Sequence, residues 1–182
     1  MDSLTQSTLA RLRDRLQERG QRPSIVLPGT KLPESTLELL HVTAEYGALC
    51  EAMYLMMAAD GRVLTVEREV LKGALRELSD DTVRGVHIEA MIDAASKRLV
   101  TDGREARMQA VVESLQQDPV RAEVAIVLAA AIAFADGDFA PEENDILQQL
   151  AQGLGLSPER VNELLGELDV DLKRVGKTSP RP

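Results

Sequence analysis

The chain is poor in the residues that build most chemistry. Of its 182 residues two are Phe, two Tyr, two His, one Cys and none Trp. So few aromatics, with Ala, Leu and Val in abundance, argue for helices packed through small residues rather than for a sheet rich in aromatic and β-branched side chains. A single cysteine, Cys50, excludes a disulfide within the chain and any thiolate metal cluster. Set in an apolar helical run, it reads as a small buried hydrophobe. No nucleophile elbow and no phosphate-cradling glycine loop is present, and no second His stands near Cys50, so nucleophilic and phosphoryl-transfer chemistry lack an anchor. The longest apolar stretch, 124–135, is too short to span a bilayer, and Met1–Ala10 has neither a basic nor an apolar leader region. A cytoplasmic protein without stable membrane insertion is expected.

Charge is unevenly distributed. The formal net charge is −9, yet residues 24–172 hold 12 basic and 27 acidic side chains, a net of −15, while both tails are basic. Arg11, Arg13, Arg15, Arg19 and Arg22 crowd the first, and Lys173, Arg174, Lys177 and Arg181 the last. A core of that sign repels nucleic acid and anionic membrane and suits divalent cations or protein partners. Leu156-Ser157-Pro158-Glu159-Arg160 has the form of a recognition-helix opening, but Glu159, Glu163 and Glu167 line that helix against phosphate.

Along the chain, residues 1–20 predict an amphipathic helix with Leu9, Leu12 and Leu16 on one face and arginines between them. Its simplest use is to fold back on the acidic core. Residues 21–35 read as a proline-rich connector, 36–170 as the helical domain and 171–182 as a flexible basic tail. Within the domain, Ser35 with Glu38 and Asp102 with Glu105 have capping-box spacing, and Asp81 can cap a helix through Val83 and Val86. Asp118-Pro119 and Ser157-Pro158 are N-caps followed by Pro at the first helical position, and Gly47 is placed to bend or divide its helix. Seven to eight helices follow, with no strand pattern, so the fold expected is all-α, a compact helical bundle.

Inside it lies an apparent duplication. Ala59-Asp60-Gly61 followed by Glu67 recurs as Ala135-Asp136-Gly137 followed by Glu143, an offset of 76 that also pairs Leu71 with Leu147, Leu78 with Leu154 and Arg84 with Arg160. Each copy, about 48–78 and 124–154, reads as a helix, a tight Asp-Gly turn and a second helix. Ala58, Ala59, Ala129, Ala130, Ala131, Ala133 and Ala135 are expected at the closest approach of the halves.

A carboxylate in the last turn of a helix is unfavourable by roughly 0.3–1 kcal/mol, so Asp60 and Asp136 each need an offset. One reading is local: a left-handed glycine, an Asp accepting turn amides and a Glu reaching back to the next helix's free N–H groups. The other is two acidic nests that could each hold a cation, Asp60 with Glu67 and Asp136 with Glu143, with Glu69, Asp138, Glu142 and Asp145 nearby; oxygen-only ligands suit Ca²⁺ or Mg²⁺. The second loop is no EF-hand, since Pro141 and Leu147 stand where that motif needs Gly and Glu. Glu38 and His41 have Glu-x-x-His spacing, but a di-iron bundle needs it on two helices and Arg84 breaks the match at His87. Both histidines read as polar-face or boundary residues.

A helix ending Ala-Asp-Gly, an apolar residue two after the Gly and a Glu seven after the Asp, twice over, resembles the tellurite-resistance TerB family across roughly residues 36–168. The resemblance implies an all-helical fold with an inverted internal repeat and a stress-response module without demonstrated enzymatic activity. It further implies metal binding by the shared acids, here Asp60, Glu67, Asp136 and Glu143. Leu64 and Ala140 depart from it, standing where the family often has Asp or Ser. A metal-dependent enzyme using the same carboxylates and a nucleic-acid-binding regulator are the alternatives.

Overall fold

The computed structural model describes residues 6–18, 34–135 and 140–176. They form eight helices: α1 Gln6–Glu18, α2 Glu34–Met57, α3 Thr65–Leu78, α4 Gly85–Asp102, α5 Arg104–Leu115, α6 Pro119–Ala133, α7 Pro141–Gly153 and α8 Pro158–Gly176. Among the described residues there is no strand, and no helix is long and apolar enough to cross a membrane.

Two helices carry the core. Every residue of 49–59, the end of α2 and the start of the turn after it, and of 122–130 in α6 is buried, and helices apolar all round belong in the interior. Alanines at 52, 122, 125, 129, 130 and 133 keep their surfaces low, so α2 and α6 pack directly on each other. The other helices surround this pair: α4, α5, α3 and α7 lie against α2, and α8, α3, α1 and α7 against α6. Of the alanines expected at the closest approach, Ala58, Ala59, Ala129, Ala130 and Ala133 are buried.

The two Pro-led starts form as the sequence predicts. Asp118 Oδ1 accepts from the Val120 and Arg121 amides at 3.1 and 3.2 Å, and Ser157 Oγ accepts from Arg160 N at 3.2 Å. Other boundaries differ. Gly47 does not divide α2, which is continuous; a helical glycine costs about 1 kcal/mol, less than the burial of the flanking turns supplies. Asp81 does not cap α4, whose N-cap is Arg84. It closes α3 instead, in a Schellman turn with Asp81 N on Arg76 O at 2.8 Å and Asp80 N on Glu77 O at 3.2 Å, for which Asp80 takes φ +52. Asp102 ends α4 rather than capping α5, because the chain reverses at Gly103. Its carboxylate accepts from Arg107 at 3.1 Å. Ser35 already stands within α2, and Glu38 is turned to Arg84. At the far end α8 continues past residue 171 to Gly176. The connector lies outside the described residues, except that Glu34 and Ser35 belong to α2.

Helices α5 and α7 approach so closely at Gly153 that a Cβ there would sit 2.6 Å from Val112 Cγ2. Valine is stiff at χ1 and cannot swing away. Gly153→Ala is therefore expected to destabilise by about 1–2 kcal/mol in urea unfolding, despite alanine's better helix propensity. The double substitution Gly153→Ala with Val112→Ala should recover most of that loss.

Candidate functional site

The first acidic turn begins as α2 winds down, with Ala58 N on Tyr54 O and Ala59 N on Met56 O, both at 3.0 Å, and Gly61 N on Ala58 O at 3.2 Å. Gly61 takes φ +82, where a side chain would be strained. Exposed Asp60 folds its Oδ1 over the turn to accept from Arg62 N at 2.7 Å. The chain then reaches Leu64, the N-cap of α3, which has no side-chain acceptor. Its amide is taken instead by Glu67 Oε2 at 2.7 Å. Only the glutamate half of a capping box exists here, and Glu67 is buried, 5% exposed, at the helix start.

The second turn repeats this pattern where it is described. Phe134 N bonds Ala130 O at 3.0 Å and Ala135 N bonds Ile132 O at 2.9 Å, the counterparts 76 residues on of the two bonds ending α2. Ala140 N is accepted by buried Glu143 Oε2 at 2.8 Å, as Leu64 N is by Glu67. Asp136 and Asp138 lie outside the described residues. Glu69, expected to join the acidic group, pairs with Lys72 at 3.0 Å. Among the described residues, no three His, Cys, Asp or Glu side chains gather closely enough to hold a metal ion. What the first turn offers is Asp60 and Glu67, each oriented by a backbone amide. Oxygen donors of that kind fit a hard cation that keeps much of its water, as Mg²⁺ does when held by one or two carboxylates.

The offset needed by a carboxylate at the end of α2 comes from α5. Arg104 Nη2 donates to Ala58 O at 2.7 Å and to Ala59 O at 2.9 Å, placing a cation on the negative end of the helix dipole. Two further carboxylates, not expected from the sequence, are buried between arginines. Glu51 of α2 receives Arg107 Nε at 2.7 Å and Nη2 at 3.2 Å, and Arg98 Nη2 at 2.8 Å. Glu123 of α6 receives Arg160 Nε at 2.9 Å and Arg15 Nη1 at 2.5 Å. The available signal was a lone acid inside an otherwise apolar run, which burial forces to find partners.

Arg160 first, and Arg15 after it, hold the Glu123 carboxyl below its usual range against the opposing effect of burial. A depressed folded-state pKa stabilises the fold above the unfolded carboxyl's value and ceases to do so as pH falls through the folded one. Glu123→Gln is accordingly expected to cost about 1–3 kcal/mol at neutral pH, with parent and variant converging in urea unfolding below about pH 4. Cys50 is fully buried and its thiol is pushed up to about 12, chiefly by that burial and then by Glu51, so it stays protonated at neutral pH. His41 is exposed, whereas His87, expected at a boundary, is buried at 4% exposure with Nε2 3.4 Å from Arg84 Nη2. The Glu38 Oε2 of α2 lies 4.0 Å from its Nε2.

Among known proteins, the profile of the family described as "Tellurite resistance protein TerB" matches residues 47–165. That stretch runs from within α2 into α8, includes both turns and leaves α1 outside. No curated protein and no solved structure matches the chain. The profile spans well over half of the sequence, and with it both Glu-capped turns, so the chain belongs to the TerB family of tellurite-resistance proteins.

Proposed function

We propose that this TerB-family chain is a cytoplasmic stress-response module without catalytic chemistry of its own. It serves as an interaction scaffold for protein partners and takes a divalent cation, Ca²⁺ or Mg²⁺, at its acidic turns. Asp60 and Glu67 would hold one ion, and Asp136 and Glu143 the second. The observation that carries this reading is the Glu67 carboxylate fixed by the Leu64 amide at 2.7 Å beside the Asp60 turn, with the same bond at Glu143 and Ala140. Backbone amides that orient a carboxylate prepare it to act as a ligand. A bound ion would supply positive charge to a strongly acidic core and stiffen the turn for recognition. Cys50 is buried and protonated, so it offers no nucleophile.

Calorimetric titration with each ion tests the assignment. Two ions per chain are expected for the parent, one for Asp60→Asn and none for Asp60→Asn with Asp136→Asn. Unchanged stoichiometry in the double variant would remove the turns as the site.

A further inference from the structure

Helix α1 lies outside the family match yet sits on the domain as a ligand would, packed against α3, α6 and α8. Its apolar hold is narrow. Leu12 is wholly buried and Leu16 packs partly buried against the core. The rest is charge. Arg11 pairs with Glu167 of α8, Arg13 reaches Glu77 of α3 at 3.4 Å and Asp80 at 3.8 Å, and Arg15 reaches Glu123 of α6 at 2.5 Å. Three arginines on one short helix thus meet four carboxylates, on α8, α3, the turn after α3 and α6, a complementarity that fixes both position and register.

The same contacts make α1 removable. Glu123, the one buried acid of the four, keeps Arg160 at 2.9 Å when Arg15 leaves, so no unpaired charge stays behind in the core. Glu77, Glu167 and Asp80 have side chains 32%, 36% and 73% exposed with α1 in place, and water can take over there. Residues 19–33 join α1 to α2, a length of chain that spans roughly 50 Å at full extension. A free helix of the same pattern can therefore compete for the seat.

We infer that the face between α3, α6 and α8 is a docking site for an arginine-rich amphipathic helix of a partner protein, and that α1 covers it in the isolated chain. The partner's helix carries a leucine pair at i and i+4 with arginines at i−1, i+1 and i+3, the pattern of Arg11, Leu12, Arg13, Arg15 and Leu16. This gives a partner class to the scaffold reading and rests on it. The acids that α1 meets, Glu77, Asp80, Glu123 and Glu167, are none of those assigned to the acidic turns, so the test is run in EDTA and is unaffected if no cation binds them.

The probe is a fluorescently labelled peptide of residues 6–18, followed by anisotropy. The host is the full chain, either unchanged or carrying Leu12→Asp and Arg15→Glu to release its own helix. Expected is one peptide per released chain, bound at least tenfold more tightly than by the parent. The peptide with all three arginines changed to glutamate should not bind. Equal affinity for both hosts, or no binding by a released chain whose circular dichroism is that of the parent, overturns the inference. Hydrogen exchange on the unaltered chain gives an answer that does not depend on the variant's folding. Amides of α1 should exchange at least a hundredfold faster than those of α6, and α1 amides as slow as α6 would make it a permanent part of the core. A parent chain that dimerises by exchanging α1 between copies would assign the seat to self-association and overturn the inference as well.

Discussion

Changing Arg98 and Arg107 together to methionine is expected to destabilise the protein by about 3–5 kcal/mol, lowering Tm by roughly 6–20 °C for a chain of this size. Glu51 is 5% exposed and its two oxygens are held by these two guanidinium groups. With both gone, a carboxylate remains in an apolar interior with nothing to offset its desolvation. Either single change should cost less, because the other arginine still reaches Glu51. The triple variant Arg98→Met, Arg107→Met, Glu51→Leu should recover most of the loss, since removing a buried ionic group entirely is often neutral or stabilising. Thermal unfolding by circular dichroism of the parent and the four variants decides it. A double variant within about 1 kcal/mol of the parent would show that the cluster carries little of the stability.

What was legible in the sequence was what depends on near neighbours. Asp118-Pro119 and Ser157-Pro158 start helices because an N-cap needs only amides two or three residues on. The Asp60 and Glu67 bonds were foreseeable for the same reason, their partners being Arg62 and Leu64. Asp81 misled because it is equally suited to end one helix and to start the next, and the Schellman bond to Arg76 claimed it first. Asp102 lost its cap to the reversal at Gly103 one residue later. The arginine partners were illegible in principle. Arg98 and Arg107 find Glu51 across 47 and 56 residues, and Arg15 finds Glu123 across 108, separations over which spacing carries no signal. Arg104 on the end of α2 belongs with them. The basic first helix was expected to fold back on the acidic core, and it does, but only the structure shows which acids receive it.

The claim that the acidic turns bind a cation is tested most directly by thermal melting with Ca²⁺ or Mg²⁺ against NaCl of matched ionic strength. An ion that binds only the folded chain, at about a hundredfold excess over Kd, stabilises it by about 2.7 kcal/mol, a rise in Tm of roughly 5–10 °C. Diffuse screening of the acidic core would be imitated by NaCl, so the specific effect is the excess over that control. Asp60→Asn with Glu67→Gln, and Asp136→Asn with Glu143→Gln, keep side-chain size and an amide oxygen for the turn while removing charge. Each pair should reduce the excess, and the four changes together should abolish it with the fold intact. No excess over NaCl in the parent, or a fourfold variant that responds as the parent does, would contradict the account and leave the carboxylates as helix caps alone.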